Sequence, residues 1–210
     1  MCGIFASRNK DKFYELAKLN SYRGSHSHSI SYYDDKKGKV AVVTKGLGPM
    51  PEIDLEDNYL IIGHVQEPTT ERKENENIHP AYKGGDYLWH NGIILDTQVK
   101  RWQEEFNYPN VTWDTYLLLT GLLSDDPSVR LSSSEGSFAC IWHGKFNPYL
   151  SAFRNDNSPL FYDDKGNLSS TKFENSLSLD SGVIYSYVAK EWKSTSITFD
   201  TKDDFYWSPV

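Results

Sequence analysis

The chain is short of several things, and each shortage excludes a class of protein. It has only two cysteines, Cys2 and Cys140, in 210 residues, too few for the disulfide lattice of a small secreted scaffold. No CxxC pair occurs, and His64, His79 and His90 are spaced by 15 and 11 residues, which matches no compact ligand motif, so no metal is expected. There is no long basic run: 22 Lys and Arg stand against 29 Asp and Glu, a net charge of -7, which makes nucleic acid an unexpected partner. The longest apolar stretch, Tyr116 to Leu123, is interrupted by Thr120 and Gly121 and falls far short of the roughly 20 residues that span a bilayer. Residues 1 to 5 carry neither the basic region nor the apolar core of a secretory signal, and charge arrives by Arg8. The expectation is a cytoplasmic protein with no membrane segment, in which Cys2 is a free thiol and Cys140 belongs to the core. No glycine-rich loop followed by Lys-Ser or Lys-Thr is present, so no nucleotide or other cofactor is implied.

What the chain does have is aromatic side chains, 14 Tyr, 10 Phe and 6 Trp, which fill a core with few residues because each buries a large area. The length, with no internal repeat or low-complexity linker, suits one domain over residues 1–210. Strand signals dominate: Cys2 to Ser7, Ser29 to Tyr33, Val40 to Thr44, Tyr59 to Val65, Tyr87 to His90, Ser137 to His143, Leu150 to Arg154, Leu160 to Tyr162, Val183 to Val188 and Ser196 to Phe199. Turn chemistry at 34–38, 84–86 and 163–167 joins them as hairpins. Three helices are expected. One covers Lys10 to Leu19, with Phe13, Leu16, Ala17 and Asn20 on one face. A second follows Asp96 as N-cap, and a third follows Thr112 as N-cap and runs from Asp114 to about Leu123, apolar nearly all round. Charged, strand-poor 69–77 reads as a mobile loop. The whole suggests two antiparallel sheets packed face to face with helices outside.

Two spots carry chemistry. Once Met1 is removed, Cys2 holds a thiol and a free α-amine on one residue; the amine, with an ordinary pKa near 8, accepts the thiol proton directly or through a water. A nucleophile of this kind needs donors aimed at a tetrahedral oxyanion, and Asn91-Gly92 offers a side-chain amide and a backbone N–H. The same pair is also the commonest type I′ hairpin turn.

Taken together, Cys2-Gly3-Ile4-Phe5, Tyr22-Arg23-Gly24, Gly63-His64-Val65, His79-Pro80, His90-Asn91-Gly92-Ile93-Ile94, Asp114-Thr115 and Glu135-Gly136-Ser137-Phe138-Ala139 resemble, in order and spacing, the glutaminase domains of class II glutamine amidotransferases. The run Ala152 to Leu160, ending Ser158-Pro159-Leu160, extends the resemblance over residues 2–190. It is most like the N-terminal domain of glucosamine-6-phosphate synthase; asparagine synthetase and amidophosphoribosyltransferase are similar too. The resemblance implies an α+β, four-layer αββα sandwich, the N-terminal nucleophile hydrolase fold. It implies that Cys2 attacks the side-chain amide of glutamine, that Asn91 and Gly92 hold the oxyanion, and that ammonia leaves before water hydrolyses the thioester. It further implies that Arg23 and Gly24 flank the nucleophile and that Asp114 binds the substrate α-ammonium, with Thr69 and His79 also on the substrate.

One position departs from the pattern. Where the family reads Gly-His-Thr-Arg, with the arginine on the substrate α-carboxylate, this chain reads Gly63-His64-Val65-Gln66. Gln66 donates hydrogen bonds but has no charge, so glutamine should bind less tightly unless Arg72 or Lys73 supplies the cation. Three readings follow: a stand-alone glutaminase delivering ammonia to a separate acceptor protein, an amidohydrolase of γ-glutamyl or other small amides, and a catalytically inactive structural or interaction protein that retains the fold.

Overall fold

The computed structural model describes residues 2–67, 77–124, 126–145 and 149–201. The strands are β1 (Cys2–Ser7), β2 (Ser27–Asp34), β3 (Lys39–Leu47), β4 (Leu60–Gln66), β5 (Ala81–Lys83), β6 (Asp86–Ile94), β7 (Gly136–His143), β8 (Leu150–Arg154), β9 (Phe161–Tyr162), β10 (Leu168–Ser169), β11 (Leu177–Ser178), β12 (Val183–Val188) and β13 (Glu191–Thr198). The helices are α1 (Lys10–Asn20), α2 (Asp96–Glu105), α3 (Asp114–Ser124) and α4 (Pro127–Ser133). A seven-stranded sheet has the order β11-β9-β10-β1-β4-β2-β3, and a six-stranded sheet the order β13-β12-β8-β7-β6-β5. All pairings are antiparallel.

Three apolar clusters set the layers. Between the sheets lie Ile4, Ala6, Tyr33, Ile62, Trp89 and Ile141. Phe5, Phe13, Leu16 and Ile30 seal α1 onto the seven-stranded sheet, while Leu88, Trp102, Leu117, Phe138 and Phe153 seal α2, α3 and α4 onto the other. This is the αββα order: helix, sheet, sheet, helices. Period-two alternation builds it directly, because Ile4 and Ala6 of β1 face the second sheet while Phe5 faces α1. α1 buries Phe13, Leu16, Ala17 and Asn20, the face that its sequence marks. α3, apolar on almost every side, is buried from Leu117 through Leu122.

Local boundaries differ from the sequence reading in ways the chemistry explains. Asp96 is the first residue of α2 rather than its cap; Leu95 occupies the cap position and no side chain caps it. α3 does not begin behind Thr112: the Trp113 carbonyl accepts from the N–H of Tyr116 and Leu117. α4, which the sequence reading omits, is a seven-residue helix that opens with Asp126 accepting from Ser128 N–H and Pro127 in the first turn. β13 runs from Glu191 to Thr198, not from Ser196, and is mostly exposed, so its sequence lacks the apolar alternation that marks a half-buried strand. The hairpins at 34–38, 84–86 and 163–167 form as expected, with Gly84 and Gly85 both at positive φ. Cys140 is fully buried and unpaired. Most of 69–77, the expected mobile loop, lies outside the described residues.

Candidate active site

Cys2 begins β1, paired with Gln66 across the β1–β4 ladder. Gln66 is in turn opposite Ser27, and Ser27 opposite Leu47. Residues in one row of a sheet share a face, and Ile4, two residues along from Cys2, belongs to the inter-sheet cluster; the Cys2 thiol therefore enters between the sheets. Burial pushes this thiol up to about 12, with Asp114 adding to the rise, while a hydrogen bond from the Glu67 N–H and the charge of Arg23 pull it back. A thiol held this firmly in its neutral form needs a base at hand before it attacks anything.

The backbone around Cys2 is packed to glycine tolerance. A Cβ on Gly24 would lie 2.2 Å from both the carbonyl carbon of Gln66 and the nitrogen of Glu67, so residue 24 has no room for a side chain. Arg23 is anchored by Nε donating to Thr171 Oγ1 (2.9 Å) and Nη2 donating to the Ser170 carbonyl (3.1 Å). Ser170 Oγ also accepts from Ile4 N–H at 3.0 Å, which ties the arginine's support to the strand that carries the nucleophile.

Asn91 and Gly92 do not form a turn. They sit inside β6, opposite Ala139 and Phe138 of β7, and β1 packs on β6 across the sheet interface. Gly92 has φ 151°, and a Cβ there would stand 1.9 Å from the Ser137 carbonyl oxygen. A glycine inside a strand at such a φ marks a local distortion that redirects its N–H. Asn91 is buried, and its side-chain amide makes no hydrogen bond to any described residue.

The three histidines that no metal motif unites come together for another purpose. His64 Nε2 lies 3.2 Å from the His90 carbonyl oxygen and spans the two sheets, and the His64 and His79 rings stack with centroids 3.8 Å apart. Thr115 is the hub: its hydroxyl donates to Asp114 Oδ1 (3.2 Å) and lies 3.1 Å from both His79 Nε2 and His90 Nδ1. With its proton on Asp114, the hydroxyl has two lone pairs for the two ring N–H groups. Burial drives His64 down to about 3 and His79 well below the ordinary value, with neighbouring positive charge, Lys45 included, adding to the effect at His79. His79 Nδ1 lies 3.4 Å from Gln66 Oε1, and Gln66 Oε1 accepts from Ser27 Oγ at 3.4 Å; a neutral His79 with its proton on Nε2 has none on Nδ1 to give to Gln66. Asp114 is a quarter exposed on its side chain; its Oδ2 accepts from Ile94 N–H (3.1 Å) and its Oδ1 from Thr115 N–H (2.7 Å). It thus both caps α3 and presents a carboxylate at the end of β6. Among the described residues no group of three or more His, Cys, Asp and Glu is placed to hold a metal ion.

Of the residues singled out in the sequence, His79 and Asp114 are joined through Thr115, which His90 also meets, Gln66 lies beside His79, and Cys2, Arg23 and Gly24 stand together at the β1–β4 end. Thr69, Arg72 and Lys73 lie outside the described residues. The sequence reading missed Thr115 as the hub and Ser170 and Thr171 as supports; a hydroxyl directly after Asp114 at a helix start was the one available signal. An open pocket of about 450 Å³ adjoins His79, walled by Lys45, Asn77, Tyr82, Thr112, Trp113 and Tyr116 among others. A smaller cavity of about 190 Å³ lies beside Leu95, Phe138 and Asp200; none of the site residues expected from the sequence lines either space.

A four-layer αββα arrangement whose first strand begins at a cysteine is the fold of the N-terminal nucleophile hydrolases. No family model and no curated protein matches the sequence. Among solved structures, the chain is similar to glutamine phosphoribosylpyrophosphate amidotransferase from B. subtilis, determined with ADP and GMP, at TM-score 0.72 and 17% identity over 96% of this chain and 50% of that one. A structure described as the allosteric regulatory enzyme of purine biosynthesis matches at TM-score 0.71 and 17% identity, again over 96% of this chain and 50% of the other. A glutamine aminotransferase class-II domain protein from Silicibacter pomeroyi matches at TM-score 0.53 and 12% identity, covering 94% of this chain and 100% of that protein. The chain spans about half the length of the first two, and the likeness is one of fold: that of a class II glutamine amidotransferase domain.

Proposed function

We propose that the protein is an amidohydrolase of the class II glutamine amidotransferase family, with the residue-2 thiol as nucleophile after removal of Met1. The observation that supports this most is the position of Cys2: first residue of β1, on the face turned between the sheets, in a strand that packs on the one carrying Asn91 and Gly92. In this reading the free α-amine takes the thiol proton, and the sulfur attacks the carboxamide carbon of the substrate. Asn91 Nδ2 and the Gly92 N–H receive the developing oxyanion, for which preorganised donors are worth about 10²–10³ in rate each. Collapse breaks the C–N bond, the α-ammonium returns its proton to the departing nitrogen, and ammonia leaves. Water then attacks the thioester, regenerating the thiol and releasing the carboxylic acid. Asp114 receives the substrate α-ammonium through a charge-assisted bond. Arg23 and Gly24 hold the β1–β4 end in place, while Gln66 and His79 line the α-carboxyl side; Thr69 is proposed to bind the substrate.

Glutamine is the first substrate to test, and use of the ammonia by an acceptor, a separate protein in this reading, belongs to the proposal. A second reading, hydrolysis of a γ-glutamyl or other amide, is favoured by Gln66, which offers no cation to a free α-carboxylate. Incubating the purified chain with glutamine and with γ-glutamyl amides, and measuring glutamate and ammonia, separates the two. Lack of turnover on every amide, in a preparation whose intact mass shows Met1 removed, would leave the inactive interaction protein as the answer.

A further inference from the structure

Lys45 occupies a position for which the proposed reaction on free glutamine has no use. It lies on β3 in the row Ile4, His64, Ser29, Lys45, one register step below the row of Cys2 and on the same inter-sheet face. Its Nζ donates to the Ile78 carbonyl oxygen at 3.4 Å, beside His79. From there it forms one wall of the 450 Å³ pocket, together with Trp113, whose ring meets His79 edge-on at 5.4 Å. The strand order β1-β4-β2-β3 sets Lys45 three strand spacings across and two residues along from Cys2, roughly 16 Å, and strand side chains stand close to perpendicular to their sheet, so the separation persists at their tips. In glutamine the α-carboxylate is only four C–C bonds, roughly 5 Å, from the carboxamide carbon. The lysine is therefore out of reach of glutamine's own carboxylate.

We propose that this pocket is an extension subsite that takes the carboxylate of a residue joined to the α-carboxyl of the substrate glutamine, so that the preferred substrate is an amino-terminal glutaminyl peptide with an acidic or free-carboxylate extension. The inference rests on the amidohydrolase reading above and names its substrate class. A peptide link replaces the α-carboxylate by a neutral amide, and the residue on that side is neutral Gln66, whose amide suits a peptide group. One further residue adds about 3.3–3.6 Å of backbone plus the length of its side chain, which brings an acidic group of the second residue to the distance of Lys45. Trp113, Tyr82 and Tyr116 supply apolar surface for its stem, and Asn77 and Thr112 supply polar groups at the wall. The free α-amine of the glutamine remains for Asp114. The chemistry is unchanged: the carboxamide and water give the glutamyl peptide and ammonia.

The test compares L-glutaminyl-L-glutamate, L-glutaminylglycinamide and glutamine, in wild type and Lys45→Gln, with Cys2→Ala rates subtracted to remove spontaneous cyclisation. Because Lys45 is exposed to solvent, its charge is partly screened. The expected preference of wild type for the acidic peptide over the uncharged one is about fivefold in kcat/KM, falling towards one in Lys45→Gln and in 0.5 M salt. A wild-type preference near one, or a preference that Lys45→Gln leaves in place, overturns the subsite. Titration calorimetry on Cys2→Ala, with and without Lys45→Gln, reads the same preference as a ratio of Kd values, so the subsite is decided even where turnover is absent. Peptide binding that depends on Lys45 without turnover in wild type would retain the subsite and overturn the amidohydrolase reading.

Discussion

Cys2 and Gln66 face each other across the β1–β4 ladder, so the residue offered as nucleophile and the residue that replaces a familiar arginine are cross-strand neighbours on one face. In the proposed reading, a change at Gln66 is felt at the α-carboxyl side of the substrate that Cys2 attacks. With Gln66→Arg, a cation enters beside neutral His79, and KM for glutamine is expected to fall about tenfold with little change in kcat, as for an interaction made equally in ground and transition states. Steady-state kinetics on glutamine check this; an unchanged KM would mean that the carboxylate is held elsewhere.

The raised thiol pKa gives the pH dependence its sign. If the free α-amine, with an ordinary pKa near 8, is the base that deprotonates the Cys2 thiol, activity is expected to rise with pH between about 6 and 9. Cys2→Ala should abolish hydrolysis, Cys140→Ser should preserve it, and protein shown by intact mass to retain Met1 should be inactive. A pH–rate profile and mass spectrometry on the same preparations carry the test.

Asn91→Ala should lower kcat by about 10²–10³ while changing substrate affinity much less, because the donor acts on charge that develops only in the transition state. Equal losses in kcat and in affinity for the ground state would assign Asn91 to substrate binding instead.

Gly24→Ala should disturb both stability and activity. Its Cβ cannot sit 2.2 Å from the Gln66 and Glu67 backbone, so the end of β4 must move, at a cost typical of overpacking, about 1–3 kcal/mol. Denaturant unfolding and glutaminase assays should move together; a variant with wild-type stability and turnover would show that this end of the sheet yields freely.

Acid should destabilise the fold through its buried histidines. His64 has its pKa lowered to about 3 from 6.5. Between these values the unfolded chain binds a proton that the folded chain refuses, so folding stability falls as pH drops from about 6.5 towards 3 and is fully present above that range. His79 shifts in the same direction. Thermal unfolding from pH 7.5 to 4.5 should show Tm falling, and His64→Gln should flatten that slope while lowering Tm at pH 7.5. A wild-type Tm that is flat or rises on acidification contradicts the assignment of His64 as buried and neutral.

Much of the fold is legible because alternation is honest where one face of a strand meets another layer. β1 and β7 announce themselves, as does α1, whose buried residues are those its spacing marks. β13 and α4 are less legible, since an exposed edge strand and a short serine-rich helix owe their shape to neighbours rather than to pattern. At the site, Asn91-Gly92 is instructive. Local chemistry favours a turn, yet eight paired positions with β7 keep it in a strand, because long-range pairing outweighs a two-residue preference. Lys45 was invisible, and Thr115 only faintly marked by following Asp114, for a different reason: their meaning lies in which distant strands and loops surround them, and no spacing encodes that.

The central position of β1 sets a schedule. It is bonded on one side to β4 and on the other to β10, at Leu168 and Ser169, and Ser170 grips Ile4. On a ribosome, the last of these partners emerges long after the first strand. At 5–20 residues per second the delay is roughly ten to thirty seconds. During that interval β1 has its β4 partner but lacks the β10 pairing and the Ser170 bond, so in the proposed reading the strand that carries the nucleophile is completed only when the chain past residue 170 has been made. A chain that stops short of Leu168 would be expected to leave this edge of β1 unpaired.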